Sequence, residues 1–239
     1  MRYIALLLLL LPASVIQAAD ACYPNRFAGA YAFQLAGLTN ISGTPQPTTS
    51  LGRITFGDGG KVSGTSSIKL AGFLLGNPVT GSYEANPDCT VSWQLQDDSG
   101  AYQHFSGRYT LDGIRVQFRQ TDHGGVPDGI MVRTSDSCAG SDLKRKYSFT
   151  VSGSTTPMKS GESARTVSGK GTIDTAREGD FHVDSDCAVH FTLTVPSAEG
   201  QPASPLIALR GFLVNGGKEI LAFQPDPGAM VSARLIALN

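Results

Sequence analysis

The chain has 239 residues, 19 Lys/Arg against 20 Asp/Glu, a net charge of −1 and a pI near 6.4. A near-neutral chain whose longest basic run is Lys144-Arg145-Lys146 argues against nucleic acid and anionic membrane surfaces as partners. Only 16% of residues are charged while 28 are glycine. No long stretch has helical period, so the expectation is an all-β chain of short strands and tight turns.

The N-terminus is expected to be removed. Arg2, the apolar run Ile4 to Leu11 and the small residues Ala18, Ala19 and Ala21 follow the plan of a secretory signal peptide. That run is too short to span a bilayer, which takes about 20 apolar residues. Cleavage near Ala18 or Ala19 gives three segments: a signal peptide over 1–19, a first β-barrel repeat over 20–136 and a second over 137–239. The rival is Cys22 as a lipidated N-terminus. It fits poorly, because Asp20 sits badly in such a site and three cysteines would remain. The mature chain is expected to be secreted or periplasmic and not embedded in a membrane.

After the leader the sequence repeats itself. Cys22 precedes Tyr31-Ala32-Phe33-Gln34-Leu35, and Cys138 precedes Tyr147-Ser148-Phe149-Thr150-Val151 at the same spacing. Lys61-Val62-Ser63-Gly64-Thr65 is matched to Thr166-Val167-Ser168-Gly169-Lys170. Asn86-Pro87-Asp88-Cys89-Thr90-Val91-Ser92-Trp93 is matched to Asp184-Ser185-Asp186-Cys187-Ala188-Val189-His190-Phe191. Closing strands follow at Ile114–Thr121 and Glu219–Phe223, then Ile130–Arg133 and Val231–Leu238.

Strands are predicted at 29–36, 51–57, 61–70, 78–85, 90–96, 102–110, 114–121 and 129–134. In the second repeat they fall at 146–152, 165–173, 178–184, 188–195, 204–213, 218–223 and 230–238. The Asp58-Gly59 hairpin signal of the first repeat has no counterpart around Met158–Ala164, so the second repeat is expected to lack a strand there or carry an irregular one. Many short sequential strands suit two up-and-down barrels, with a β-sandwich as the alternative. Tyr31, Phe33, Leu35, Val91, Trp93, Leu95, Ile114, Val116 and Phe118 are predicted to face inward, and Ser92, Gln94, Arg115 and Gln117 outward.

Four cysteines in an exported chain predict two disulfides. With no two closer than 49 residues, a Cys-x-x-Cys metal clamp is excluded. Two pairings respect the repeat: Cys22–Cys89 with Cys138–Cys187, or Cys22–Cys138 with Cys89–Cys187. The first is preferred because a unit that once stood alone needs its own bridge.

Gly29-Ala30-Tyr31-Ala32-Phe33, Pro87-Asp88-Cys89-Thr90 and Gln120-Thr121-Asp122 together resemble an exported bacterial β-domain, here in tandem. The pattern is Cys…Gly-x-Tyr-x-Phe, a Gly-Asp-Gly-like hairpin, Pro-Asp-Cys-Thr and a closing Gln-Thr-Asp block. The resemblance implies a compact barrel akin to the lipocalin and avidin group. It covers the first repeat well and the second loosely, where Asp186-Cys187-Ala188 and Gln224-Pro225-Asp226 stand in. Its landmarks are turns and disulfides, so they imply a fold and no activity.

Chemistry leaves little trace in the sequence. Gly161-Glu162-Ser163-Ala164-Arg165 lacks the last glycine of a nucleophile elbow, and no phosphate loop or calcium loop appears. Asn40-Ile41-Ser42 is a glycosylation triplet whose simpler role is a polar loop. His182, Asp184 and His190 would meet if the chain turns near Asp186. That makes them a weak metal candidate, although both imidazoles are expected on the outer, wet face. His104 and His123 stand alone in polar segments, His123 beside Asp122 and Asp128 in a turn. No cofactor is called for.

Tyr31, Phe33, Trp93, Phe118, Tyr147 and Phe149 are the candidate ligand-lining residues if a barrel holds a cavity; otherwise they fill its core. The leading expectation is a secreted, non-enzymatic binding protein for a small apolar molecule or a surface glycan. The alternatives are a barrel-type cyclase or isomerase acting on a hydrophobic substrate, and a structural or adhesive surface protein.

Overall fold

The computed structural model describes residues 21–41, 43–70, 73–122, 128–156, 163–195 and 206–238. The expected signal peptide, Ser42 of the glycosylation triplet, His123 and most of the 158–164 segment lie outside them.

Eight strands make the first half: β1 Gly29–Ile41, β2 Thr44–Phe56, β3 Lys61–Leu70, β4 Phe73–Ala85, β5 Thr90–Asp97, β6 Tyr102–Tyr109, β7 Arg115–Gln120 and β8 Asp128–Arg133. They pair antiparallel in sequence order and close through β1 and β8 into a barrel. Strand alternation fixes what fills it. Tyr31, Phe33, Leu35, Ile54, Val91, Trp93, Leu95, Phe105, Val116, Phe118 and Met131 form one buried core. Outward positions such as Ser63, Thr65, Ser92, Ser106, Arg108, Gln117 and Arg119 are exposed. That inside-apolar, outside-polar order is the reverse of a lipid-embedded barrel, and no helix among the described residues is long and apolar enough to cross a membrane. Ile114 departs from its predicted inward position. It precedes β7 and packs instead against the other half of the molecule.

The barrel has one sealed end. Phe27, fully buried, sits with its ring 4.7 Å from Phe56 and 5.1 Å from Tyr109. The Arg133 guanidinium donates to the carbonyls of Arg26 (2.5 Å), Ala28 (2.9 Å) and Gly113 (3.3 Å) and to the Tyr31 hydroxyl (2.8 Å). Cys22, bonded to Cys89, ties the same segment down.

The second half has β9 Lys146–Thr155, β10 Arg165–Asp174, β11 His182–Val183, β12 Ala188–Thr194, β13 Leu206–Val214, β14 Glu219–Phe223 and β15 Ala229–Ala237. Here the expectation of a second closed barrel is corrected. The strands form one seven-stranded antiparallel sheet, β10-β9-β15-β14-β13-β12-β11, with β10 and β11 as its edges among the described residues. Only seven residues separate Asp174 from His182, too few for the strand that would bridge those edges. The sheet still wraps one apolar core, including Tyr147, Phe149, Ile173, Val189, Phe191, Leu209, Ile220 and Val231. Phe181, beside the β11 edge, stacks on Phe191 at 4.7 Å.

The halves share particular geometry. Cys89 and Cys187 both have φ of 68°. The preceding aspartates, Asp88 and Asp186, each accept the N–H two residues on at 3.0 Å. The carbonyls of Cys89 and Cys187 accept from Tyr109 and Leu213, both at 2.9 Å. The disulfides are Cys22–Cys89 and Cys138–Cys187, with Cα separations of 5.1 and 4.9 Å; such bridges belong to an oxidising, non-cytoplasmic environment. Tyr31 donates to the Gly113 carbonyl at 2.5 Å and Tyr147 to that of Gly217 at 2.6 Å.

Register also corrects the predicted matching of 61–65 with 166–170. Phe33 lies opposite Gly52 on β2, and Phe149 lies opposite Gly171 on β10. A β-carbon on Gly52 would come within 2.5 Å of the Phe33 ring, and one on Gly171 within 2.6 Å of the Phe149 ring. By this packing β10 lies beside β9 as β2 lies beside β1.

The two halves meet through the outer faces of both sheets. Ala32, Leu51 and Val132 of the barrel pack with Phe212, Val214, Leu221 and Phe223. Gln34 Nε2 donates to the Ala222 carbonyl at 2.6 Å, and Thr134 Oγ1 to that of Leu213 at 2.8 Å. Because β14 is covered on both faces, all five of its residues are buried.

Candidate ligand site at the barrel mouth

Among the described residues, nothing closes the end of the barrel opposite Phe27. There β1 and β2 run on as far as Ile41 and Thr44, and β3 and β4 as far as Leu70 and Phe73. Along β1 the inward positions pass from Tyr31, Phe33 and Leu35 to Gly37 and Thr39, so the lining changes from aromatic to polar along one strand face. The same change occurs on β2 from Ile54 to Ser50 and Thr48, while β4 alternates Val79, Asn77 and Leu75 on that face.

These ends enclose a cavity of about 230 Å³. Phe33, Leu35, Ile68, Leu75, Leu95 and Phe105 supply its apolar surface. Thr39, Thr48, Ser50, Ser66, Asn77, Asp97, Gln103 and Gln120 supply hydroxyls, amides and one carboxylate. Ser50 and Ser66 hydroxyls lie 3.2 Å apart, and Thr48 Oγ1 donates to the Lys69 carbonyl at 3.1 Å. Asp97 Oδ1 accepts from the Ser99 hydroxyl at 2.5 Å and from the N–H groups of Ser99 and Ala101. The Ser99 hydroxyl above all, helped by those N–H groups and by Asn77, holds the Asp97 carboxyl below the usual carboxylate range. It therefore stands at the rim as an ionised acceptor.

Most of the aromatic candidates do not reach this cavity. Tyr31, Trp93, Phe118, Tyr147 and Phe149 are packed in the two cores. The void among Phe33, Ile54, Trp93, Leu95, Phe105 and Phe118 is about 10 Å³, at or below what one water needs. Of the six, Phe33 alone lines the mouth as well. Burial pushes the Tyr31 hydroxyl up to about 12 despite the neighbouring Arg133 guanidinium, and raises Tyr147 too. Both are structural donors. The polar wall was not among the predicted site residues; its signal was the loss of apolar residues at inward positions beyond Leu35.

The histidines lie elsewhere. His182 pairs with His190 across β11 and β12, and Asp184 reaches both, with oxygens 3.1 Å from His182 Nε2 and 3.5 Å from His190 Nε2. All three are exposed, at 73, 43 and 51% for His182, Asp184 and His190. No group of three His, Cys, Asp or Glu side chains among the described residues is arranged to hold a metal ion. His104 does have a partner the sequence did not reveal: its Nδ1 lies 2.7 Å from Asp122 Oδ1. Burial pushes the Asp122 carboxyl up, but the His104 N–H, the Gln120 amide and the His104 ring outweigh it and hold the carboxyl low. The pair is on the outer face, and Gln120 of the mouth lining donates to the same Asp122 carboxylate at 2.9 Å.

No protein-family model and no curated protein matches the chain. Among solved structures, one described as a "putative outer membrane protein" from Bacteroides fragilis NCTC 9343 matches at 13% identity over 90% of this chain and 99% of that one, with a TM-score of 0.24.

Proposed function

We propose that this is an exported, non-enzymatic binding protein, built from two copies of one barrel plan after removal of residues 1–19. Its ligand is the end of a glycan, received in the mouth of the first barrel. The observation that carries this reading is the lining of the mouth: an aromatic and leucine floor under a wall of hydroxyls and side-chain amides, with Ile68 and Leu75 at its outer end. A sugar ring offers an apolar C–H face to the floor and hydroxyls to the wall. Fixed aromatic groups with a few placed polar groups are the general makeup of a small-ligand site. Pockets for whole drug-sized ligands run to about 300–1,000 Å³; a 230 Å³ mouth suits one ring of a longer chain. The filled interior speaks against a small apolar molecule held inside the barrel.

The test is an NMR titration of the exported chain with a panel of mono- and oligosaccharides. Shifts are expected at Asn77, Asp97, Gln103 and Phe105. Gln103→Ala and Asn77→Ala should each weaken binding by about tenfold, the loss of one hydrogen bond of about 1.4 kcal/mol. Binding that maps elsewhere, or that both variants leave unchanged, would refute the assignment.

A further inference from the structure

A second cavity lies on the opposite side of the molecule, in the cleft where the two halves meet, with a volume of about 630 Å³. Its charge is one-sided. Arg115 comes from the start of β7, Lys144 and Arg145 from the approach to β9, Lys146 from its first position, Lys218 from the β13–β14 turn, and Arg234 from β15. Among the described residues, the only carboxylate lining it is Glu219.

Glu219 does not neutralise the cleft. Its side chain is 3% exposed and is bridged by two guanidinium groups, from Arg115 through a close contact and from Arg234 Nε at 2.5 Å. One negative charge between two positive ones leaves a net positive charge at the base. Arg145 has Asp174 at 3.4 Å. Lys144, Lys146 and Lys218 have no carboxylate within ion-pair distance among the described residues. The chain as a whole carries −1, so this concentration of cations is a local feature of the fold. It draws on four separate stretches of sequence.

We propose that this cleft is a binding site for a phosphate-bearing ligand. Lysine ammonium groups are compact point charges that suit a multiply charged oxyanion, and guanidinium edges supply further directed donors. Exposed Ile236 and Leu238 at the rim, 45 and 44% exposed, suit an apolar group attached to that phosphate. Two sources share this chemistry, a soluble phosphorylated molecule and a phospholipid headgroup. The site is independent of the barrel mouth, so either can fail without the other.

The experiment uses the full exported chain and two probes: inorganic pyrophosphate, and vesicles of phosphatidylglycerol with phosphatidylcholine vesicles as control. Pyrophosphate should shift the amides of residues 144–146, 215–219 and 234–238 and raise the melting temperature, by linkage. Affinity should fall steeply as salt rises. The exposed triple variant Lys144→Ser, Lys146→Ser, Lys218→Ser should weaken binding by about 100-fold, and Lys218→Glu by about tenfold or more, each with an unchanged circular dichroism spectrum. Binding to pyrophosphate alone identifies a soluble ligand. Binding to phosphatidylglycerol vesicles alone identifies a lipid headgroup. The proposal is overturned if neither probe binds at about 10 mM phosphate and low salt, or if both variants bind as the native chain does.

Discussion

Lys69 offers the sharpest test of how the halves are held together. It projects outward from β3, is fully buried, and donates from Nζ to the carbonyls of Gln224 (2.9 Å) and Asp226 on the second half. Burial lowers its pKa from 10.5 to about 8, with the Asp226 charge opposing. The sign follows from proton counting. Between about 8 and 10.5 the unfolded chain holds this proton and the folded one has released it, so stability rises with pH through that window. For those two values the gain from pH 7 to 9.5 is about 2 kcal/mol, within a limit of about 3.4 kcal/mol for the whole shift. Urea unfolding at pH 7, 8, 9 and 9.5 reads it directly. All four cysteines are in disulfides, so no free thiol complicates the alkaline points, and tyrosines remain largely protonated below about pH 10. Lys69→Met should abolish the rise, because it removes the titrating group while keeping the stem. A native profile that is flat or falling from pH 8 to 9.5, or a variant that rises as steeply, would refute this account of the interface.

Other consequences are equally concrete. Gly52→Ala must push a β-carbon into the Phe33 ring and the Thr65 carbonyl, and should cost about 1–3 kcal/mol by overpacking; Gly171→Ala should do the same beneath Phe149, as thermal unfolding can check. Arg133→Ala strips the donors from the sealed end of the barrel and should cost on the order of 3 kcal/mol. Arg133→Lys should recover little of this in urea unfolding, because one ammonium cannot reproduce the planar fork. Replacing either disulfide pair by serine opens a loop of 67 or 49 residues and should cost about 4 kcal/mol, a loss below about 1 kcal/mol arguing against the chain-entropy origin.

Local pattern carried the strands. The period-two alternation in Tyr31-Ala32-Phe33-Gln34-Leu35 and Val91-Ser92-Trp93-Gln94-Leu95 fixes which side chains face inward, because strand geometry alternates faces whatever the partner. The same alternation, running on to Thr39 and back from Ser50, contained the polar mouth, although its meaning depends on knowing which strand ends lie together. Cysteine spacing limited the disulfides to a few pairings, and the fold selected Cys22–Cys89 and Cys138–Cys187.

What the chain could not show locally is which outward faces are covered. Glu219 and Lys69 have the composition of surface residues, yet both are buried because two sheets stack back to back through Leu51, Val132, Leu221 and Phe223. Matching by short identities aligned Val62-Ser63-Gly64 with Val167-Ser168-Gly169, whereas ring-over-glycine packing joins Phe33 to Gly52 on β2 and Phe149 to Gly171 on β10. Sequence by itself determined an alternating, disulfide-bonded β chain, since those properties are local or follow from cysteine count. Closure of one sheet, the open edges of the other, and the gathering of Arg115, Lys144, Lys218 and Arg234 into one cleft were decided only by tertiary structure. Those features depend on contacts between residues about 20 to 120 positions apart, which no window of sequence spans.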